Sequence, residues 1–164
     1  MKKTRVVLLS FIIVVLILVF PQKVFAYDSA IFKMYYYDLS LSNDGSEDVR
    51  LLSEDFEFIG DFSMEAKAFI IYSNLFELEG VRFLPENTRL LSVDIADNTL
   101  FLNASREIRN MRGGAAQTYL LNQLAENAAQ FGVSCLTLLV EGRRECLSEG
   151  IITDDICLMK YPKL

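Results

Sequence analysis

The chain has 164 residues, with 22 acidic against 16 basic side chains and no histidine. With no basic stripe to follow a phosphate backbone, nucleic-acid binding is excluded, and anionic lipid head groups are disfavoured for the same reason. The missing imidazole removes the commonest general base, and with it the usual nucleophilic triads and dyads.

Residues 1–26 read as a secretion signal. Lys2, Lys3 and Arg5 make a basic start, an apolar run follows from Val6 to Phe20 with Ser10 as its one polar residue, and Val24-Phe25-Ala26 closes the segment. Small side chains at the first and third of those closing positions suit the narrow subsites of a signal peptidase, so cleavage is expected between Ala26 and Tyr27. No Cys stands near the junction, which excludes the lipid-anchored form of the signal. The alternative is an uncleaved anchor: the apolar run falls short of the roughly 20 residues of a full span, but Pro21 to Ala26 would lengthen it. Both readings keep the basic flank in the cytoplasm and put the domain outside, secreted or on the outer side of the cytoplasmic membrane. Residues 27–164 then form one domain. Lys2, Lys3, Arg5 and Lys23 leave with the signal, so twelve basic and twenty-two acidic residues remain, a formal charge of −10.

Ile31 to Tyr37 (IFKMYYY) is the first expected strand, rich in β-branched and aromatic residues. Ser42-Asn43-Asp44-Gly45-Ser46 is turn chemistry, and Val49 to Ile59 resumes as a second strand or extended arm. The acidic loop Asn43 to Asp48 lacks the oxygen spacing and terminal Glu of a calcium loop, and reads as a solvated turn. Gly60 to Ser63 introduces a helix from Met64 to about Leu78, capped by Asp61 or Ser63, with Ala66, Ile70, Ile71, Leu75 and Phe76 as its core-facing stripe and Gly80 as its end.

Pro85 blocks helix continuation, and Thr88 to Ile95 then alternates, Leu90, Ser92 and Asp94 facing one way and Leu91, Val93 and Ile95 the other. Asp97-Asn98 turns the chain into Thr99 to Asn103, a β-hairpin. Asn103-Ala104-Ser105 matches a glycosylation sequon but reads as the turn leaving the strand. Gly113-Gly114 lacks the preceding strand, longer glycine pattern and Lys of a phosphate loop, and serves as a flexible lead into a second amphipathic helix. That helix runs from Ala115 to Gln130, with Ala116, Leu120, Leu121, Leu124 and Ala128 buried. Gly132 closes it, Val133 to Val140 is a central strand, Glu141 to Arg144 turns, and the tail from Leu147, with Ile151, Ile152 and Ile156, packs across an edge. Two amphipathic helices alternating with strands give a two-layer α+β sandwich, the helices on one face of a small mixed sheet.

Cys135, Cys146 and Cys157 cannot all pair internally. Cys135 lies in an apolar strand pattern and reads as a small core residue; Cys146 and Cys157 are the pair that could bridge in an exported protein, the alternative being three free thiols, which would fit export into a reducing setting. Their spacing of eleven and eleven matches no metal motif, and no His completes a ligand set, so no metal or cofactor is expected.

From about Lys33 to Ile156 the ordered set of elements resembles the GerMN domain of sporulation and spore-germination proteins. The match is carried by Leu84-Pro85-Glu86-Asn87-Thr88-Arg89-Leu90-Leu91-Ser92-Val93, the hairpin return Thr99 to Asn103, and Ala104-Ser105-Arg106-Glu107. Gly113-Gly114 before a helix and a last strand ending in Glu141-Gly142 complete it. The chain departs from the family where Glu79-Gly80 lacks a following Pro, and its cysteines fit no family pattern. The resemblance implies an extracytoplasmic, non-enzymatic module, similar in fold to ring-building domains, whose copies associate edge to edge.

Three functions follow as expectations. The first is a scaffold or assembly module at the envelope of a spore former, meeting other envelope or sporulation proteins or its own copies, with no small-molecule substrate, and touching membrane only where the signal stays uncut. The second is a binding module for a peptide or wall fragment, in which Tyr35, Tyr36 and Tyr37 offer the contact surface. The third is a hydrolase using an acid pair drawn from Glu54, Asp55 and Glu57, residues that alternation along an exposed strand explains without any chemistry.

Overall fold

The computed structural model describes residues 29–41, 47–78, 83–147, 150, 153 and 156–158; residues 1–26, with the expected cleavage at Ala26 and Tyr27, lie outside these, as do Gly80, Ile151 and Ile152. Strands β1 (Ser29–Leu41) and β2 (Glu47–Ile59) pair antiparallel along their whole length as a separate two-stranded sheet. Helix α1 (Met64–Glu77) follows, then β3 (Leu90–Ala96), β4 (Thr99–Ala104), a 3₁₀ turn (Arg106–Asn110), helix α2 (Gly114–Ala129), β5 (Cys135–Val140) and two short strands, β6 (Arg143–Arg144) and β7 (Ile156–Cys157). Strands β3, β4, β5 and β6 form a mixed sheet in that order, with β7 also on β5. The β4–β5 pair is parallel and the other pairs antiparallel. The class is the α+β one expected, with two helices and a mixed sheet. The difference is that β1 and β2 stay out of that sheet.

Local chemistry sets the boundaries. Ser63 caps α1, its side chain accepting from the Ala66 N–H at 3.2 Å and so serving one of the four free donors of a helix start. Asp97 and Asn98 have φ of 49° and 63°, the two left-handed conformations that a two-residue type I′ hairpin needs between β3 and β4. Residues 141 and 142 repeat the device between β5 and β6, so Arg143 and Arg144, expected in the turn, are already strand.

The core is one cluster. Leu100 and Leu102 of β4 and Leu136, Leu138 and Val140 of β5 lie fully buried with Ile71, Tyr72 and Leu75 of α1 and Leu120, Leu124 and Ala128 of α2. Along α1 the buried residues are Ala68, Ile71, Tyr72 and Leu75; the expected Ala66, Ile70 and Phe76 are only half-buried. An aromatic string extends the core under the hairpin: Phe32 packs edge-on to Phe58 at 5.7 Å and stacks on Phe131 at 5.4 Å. Lys67 lies 5.2 Å from the centre of the Phe32 ring, within cation–π reach.

The alternation expected along β3 does not hold at its start. The register slips between Leu90 and Ser92, a bulge that adds one residue and reverses the faces beyond it. Leu90 pairs with buried Ala104 and packs on the core, and Leu91 is 45% exposed. Val93 and Ile95, paired with Leu102 and Leu100, keep the inward face.

Candidate functional site

Strand β1 has a single strand neighbour, β2, and α2 supplies partners along its other edge. Gln123, Asn127 and Gln130 stand four and three residues apart, one line along a helix, and each reaches the β1 backbone. Lys33 N–H donates to Gln130 Oε1 at 2.8 Å, and Gln130 Nε2 returns a bond to Lys33 O at 2.6 Å. Tyr35 N–H donates to Asn127 Oδ1 at 2.9 Å, and Asn127 Nδ2 donates to Tyr35 O at 2.7 Å. Tyr37 N–H donates to Gln123 Oε1 at 2.8 Å. A primary amide carries the same donor and acceptor pair as a peptide group, so this file of side chains stands in for a neighbouring strand. It occupies an edge that would otherwise be open to another chain. Gln130 and Asn127 are further held by the helix itself, donating to Asn127 O and Gln123 O.

This site was not foreseen. Sequence reasoning put only the apolar stripe of α2 inside, whereas Gln117, Gln123 and Asn127 are all fully buried. A signal was present: between Gly114 and Ala129 the sole charged residue is Glu126. A helix face in water ordinarily carries Lys and Glu, and amides in their place mark a face with polar partners other than solvent.

The tyrosines expected as a contact surface are each half-buried. Tyr36 and Tyr37 pack against the core. The Tyr37 ring meets Tyr119 at 5.2 Å and Phe83 at 6.1 Å, and Phe83 stacks on Tyr119 at 5.0 Å. Burial first, then the charge of Glu126 and the Tyr119 hydroxyl, raise the Tyr37 pKa against an opposing hydrogen bond from Asn122. Burial also raises the Glu126 carboxyl. A carboxyl raised in the folded state adds stability below its unfolded pKa, about 4.3, and loses it as pH rises. Glu126→Gln should therefore melt about 1–2 °C above the parent at pH 7 and together with it at pH 4, solvent screening keeping the gain small. Equal melting at both values would contradict this placement of Glu126.

The acid trio is not brought together. Glu54, Asp55 and Glu57 are all exposed, and strand alternation puts Glu54 on the opposite face of the hairpin from the other two. Asp55 is engaged across the ladder by Lys33 at 3.1 Å. The cleft lined by Ser73, Phe76, Glu77, Thr88, Arg89 and Leu90 has about 130 Å³, below the roughly 300 Å³ at which ligand pockets begin.

The residues that carried the family resemblance do backbone work. Pro85 O accepts from both the N–H and the hydroxyl of Thr88, at 3.1 and 2.7 Å, closing the turn that holds Leu84. Gly113 (φ 87°) caps α2, its carbonyl accepting from Gln117 N–H at 3.1 Å, with Gly114 the first helical residue. Gly142 (φ 76°) donates its N–H to Asn103 Oδ1 at 2.7 Å, so Asn103, the sequon position, ties the β5–β6 turn to β4. The Cys146–Cys157 bridge is not formed: Cys146 is an exposed free thiol, and in the ladder the register partner of Cys157 is Cys135. Among the described residues no group of His, Cys, Asp and Glu could hold a metal ion, and no helix is long and apolar enough to cross a membrane.

No protein-family model matches the chain, and no curated protein does. Solved structures do. A candidate lipoprotein from Clostridium perfringens superposes with a TM-score of 0.54 at 17% identity, over 83% of this chain and 92% of that one. The tandem GerMN domains of the sporulation protein GerM from Bacillus subtilis superpose with a TM-score of 0.52 at 21% identity, over 79% of this chain and 46% of that one. This chain thus spans about half the length of the tandem. At the level of fold, the order of elements read from the sequence and the superposition agree: the chain has the fold of a GerMN domain.

Proposed function

We propose that this chain is an exported, non-enzymatic GerMN-fold protein that acts as a scaffold or assembly module in sporulation or spore germination at the cell envelope. The observation that carries this reading is the fold shared with a sporulation protein over most of the chain. A lipoprotein relation of fold and the signal-like residues 1–26 support an extracytoplasmic place. Two features of the surface support assembly over catalysis. Among the described residues no strand pairs with the outer edge of β3 or of β2, and open edges are where another chain adds a strand. The acidic residues best suited to hydrolysis are split between two faces, with Asp55 held by Lys33. The half-buried tyrosines, with Tyr37 packed on Tyr119 and Phe83, weaken the alternative of a peptide- or wall-binding surface.

The test joins two measurements. Sedimentation of the mature chain should show self-association, or a pull-down from sporulating cells should recover an envelope partner, with mass spectrometry of the mature N-terminus reporting cleavage. Disruption of the gene should impair sporulation or germination. A strict monomer without partners, in a strain that sporulates and germinates normally, overturns the proposal.

A further inference from the structure

We infer that the outer edge of β2 is a strand-addition site for a basic, extended segment of another chain, an inference that rests on the reading of this protein as an assembly module. Which backbone groups of β2 are free follows from the bonds of its neighbour. Lys33, Tyr35 and Tyr37 of β1 send their N–H groups away from β2, onto Gln130, Asn127 and Gln123. In an antiparallel ladder, pairs that exchange both hydrogen bonds alternate with pairs that exchange none. The register partners of those three residues, Asp55, Ser53 and Leu51, therefore turn N–H and C=O away from β1 as well, and Glu57, opposite Ile31, continues the series. Among the described residues no strand meets this edge. The result is a row of peptide groups repeating about every 7 Å, with Ser53, Asp55 and Glu57 all exposed. The amides of α2 fill the far edge of β1, so β2 is the side on which another strand extends the hairpin.

Charge selects the occupant. Asp55 and Glu57 lie on one face of β2 and Glu54 on the other, all exposed, and Lys33, 3.1 Å from Asp55, offsets one of the three. A strand laid on β2 sets its side chains directly opposite these carboxylates, where opposite charges stabilise and like charges destabilise. A second copy is a poor complement. Its own β2 brings the same carboxylates, and its β3 edge carries Asp94, whose carboxylate already accepts from the Ile95 N–H at 3.0 Å. Residues 27–164, with a formal charge of −10, repel one another as whole domains too. A segment with Lys or Arg at alternate positions and apolar residues between them fits instead. It meets Asp55 and Glu57 on one face, and half-buried Phe56 and buried Phe58 on the other.

The probe is a short peptide alternating Val with Lys, capped at both ends and added to the isotope-labelled mature chain. Binding should shift the amide resonances of Leu51, Ser53, Asp55 and Glu57 and slow their hydrogen exchange roughly tenfold or more. The same peptide with Glu in place of Lys should leave them unchanged, and higher ionic strength should weaken the Lys peptide's binding. Ser53→Pro keeps the charge and, because the Ser53 N–H faces outward, leaves the β1–β2 ladder whole. It should nonetheless weaken binding about tenfold or more, through the lost donor and the blocked edge. Asp55→Lys combined with Glu57→Lys should transfer the preference to the Glu peptide. The inference is overturned if the Lys peptide does not bind, if it binds Ser53→Pro as tightly as the parent, or if these amides already resist exchange in the free chain. Should Ser53→Pro fail to fold, the charge-reversed chain decides alone, and a continued preference for the Lys peptide overturns the inference. None of these results touches the assembly reading, which falls only with a strict monomer lacking partners in a strain that sporulates and germinates normally.

Discussion

Asn127→Leu should destabilise the domain by about 2–4 kcal/mol, lowering Tm by roughly 10 °C. The substitution nearly preserves volume, so the cost is not a cavity. It strips the partners from Tyr35 N–H and Tyr35 O at once and removes the bond to Gln123 O. Buried polar groups left without partners cost about 1–3 kcal/mol each, and these lie in a fully buried side chain's surroundings. The loss should be local as well as global. In the parent the Tyr35 amide is held by Asn127 and should resist hydrogen exchange; in the variant its exchange should accelerate roughly tenfold or more relative to β5 amides. Asn127→Asp adds a signature that no packing defect reproduces. The aspartate keeps the acceptor for Tyr35 N–H but turns a second oxygen toward two carbonyl oxygens, so its carboxyl is raised in the folded state. Stability then is greatest at acid pH, where the protonated acid can donate, and falls as pH rises through the carboxylate range. If both variants unfold with the parent, and Tyr35 exchanges no faster, the amide file does not hold β1.

The second large effect belongs to Tyr72. Its side chain is fully buried on α1, its ring lies 6.4 Å from Phe131, and its hydroxyl donates to Leu124 O of α2 at 2.7 Å. One residue thus joins both helices by packing and by a hydrogen bond. Tyr72→Ala should cost about 3–5 kcal/mol, as other buried aromatic truncations do, a large share of the roughly 5–15 kcal/mol that holds a domain folded. Tyr72→Phe keeps the ring and should cost only about 1 kcal/mol. Urea titrations of the two variants separate these contributions. The pH dependence runs in a defined direction. Burial raises the Tyr72 pKa well above its ordinary value, so the neutral form is favoured on folding. That contribution is complete below about pH 10, the unfolded value, and is lost as pH rises beyond it. The parent should therefore lose stability in alkali more steeply than Tyr72→Phe, with Tyr37, also raised, accounting for part of what slope remains. Identical alkaline limbs for the two chains would remove Tyr72 from this role.

How far the sequence was legible depends on whether the physics acting at a position was local. Ser63, offered with Asp61 as the cap, and the Asp97-Asn98 turn were within reach because capping and a tight turn are satisfied by a residue and its immediate neighbours. The helices and the β3–β4 hairpin followed from apolar periodicity, since each element must bury one face. The class of fold followed from the order of those elements. Leu91 was misread for the opposite reason: one inserted residue in a ladder is invisible to alternation until the partner strand is in place. The cysteines show the same limit. Spacing along the chain offered Cys146 to Cys157, but which residue lies opposite which is set by strand register, and β7 returns to β5 beside Cys135.

The amide file of α2 lies furthest beyond a one-dimensional reading. Gln123, Asn127 and Gln130 are nearly a hundred residues from the backbone groups they serve, and an amide has no preferred partner until a specific edge is laid against it. Chain order and local preference were enough to name the elements, their caps and the apolar core. Which polar groups could be taken out of water was left to the packing of β1 on α2, because burial of a polar side chain is favourable only where the assembled fold meets it with a matching donor and acceptor.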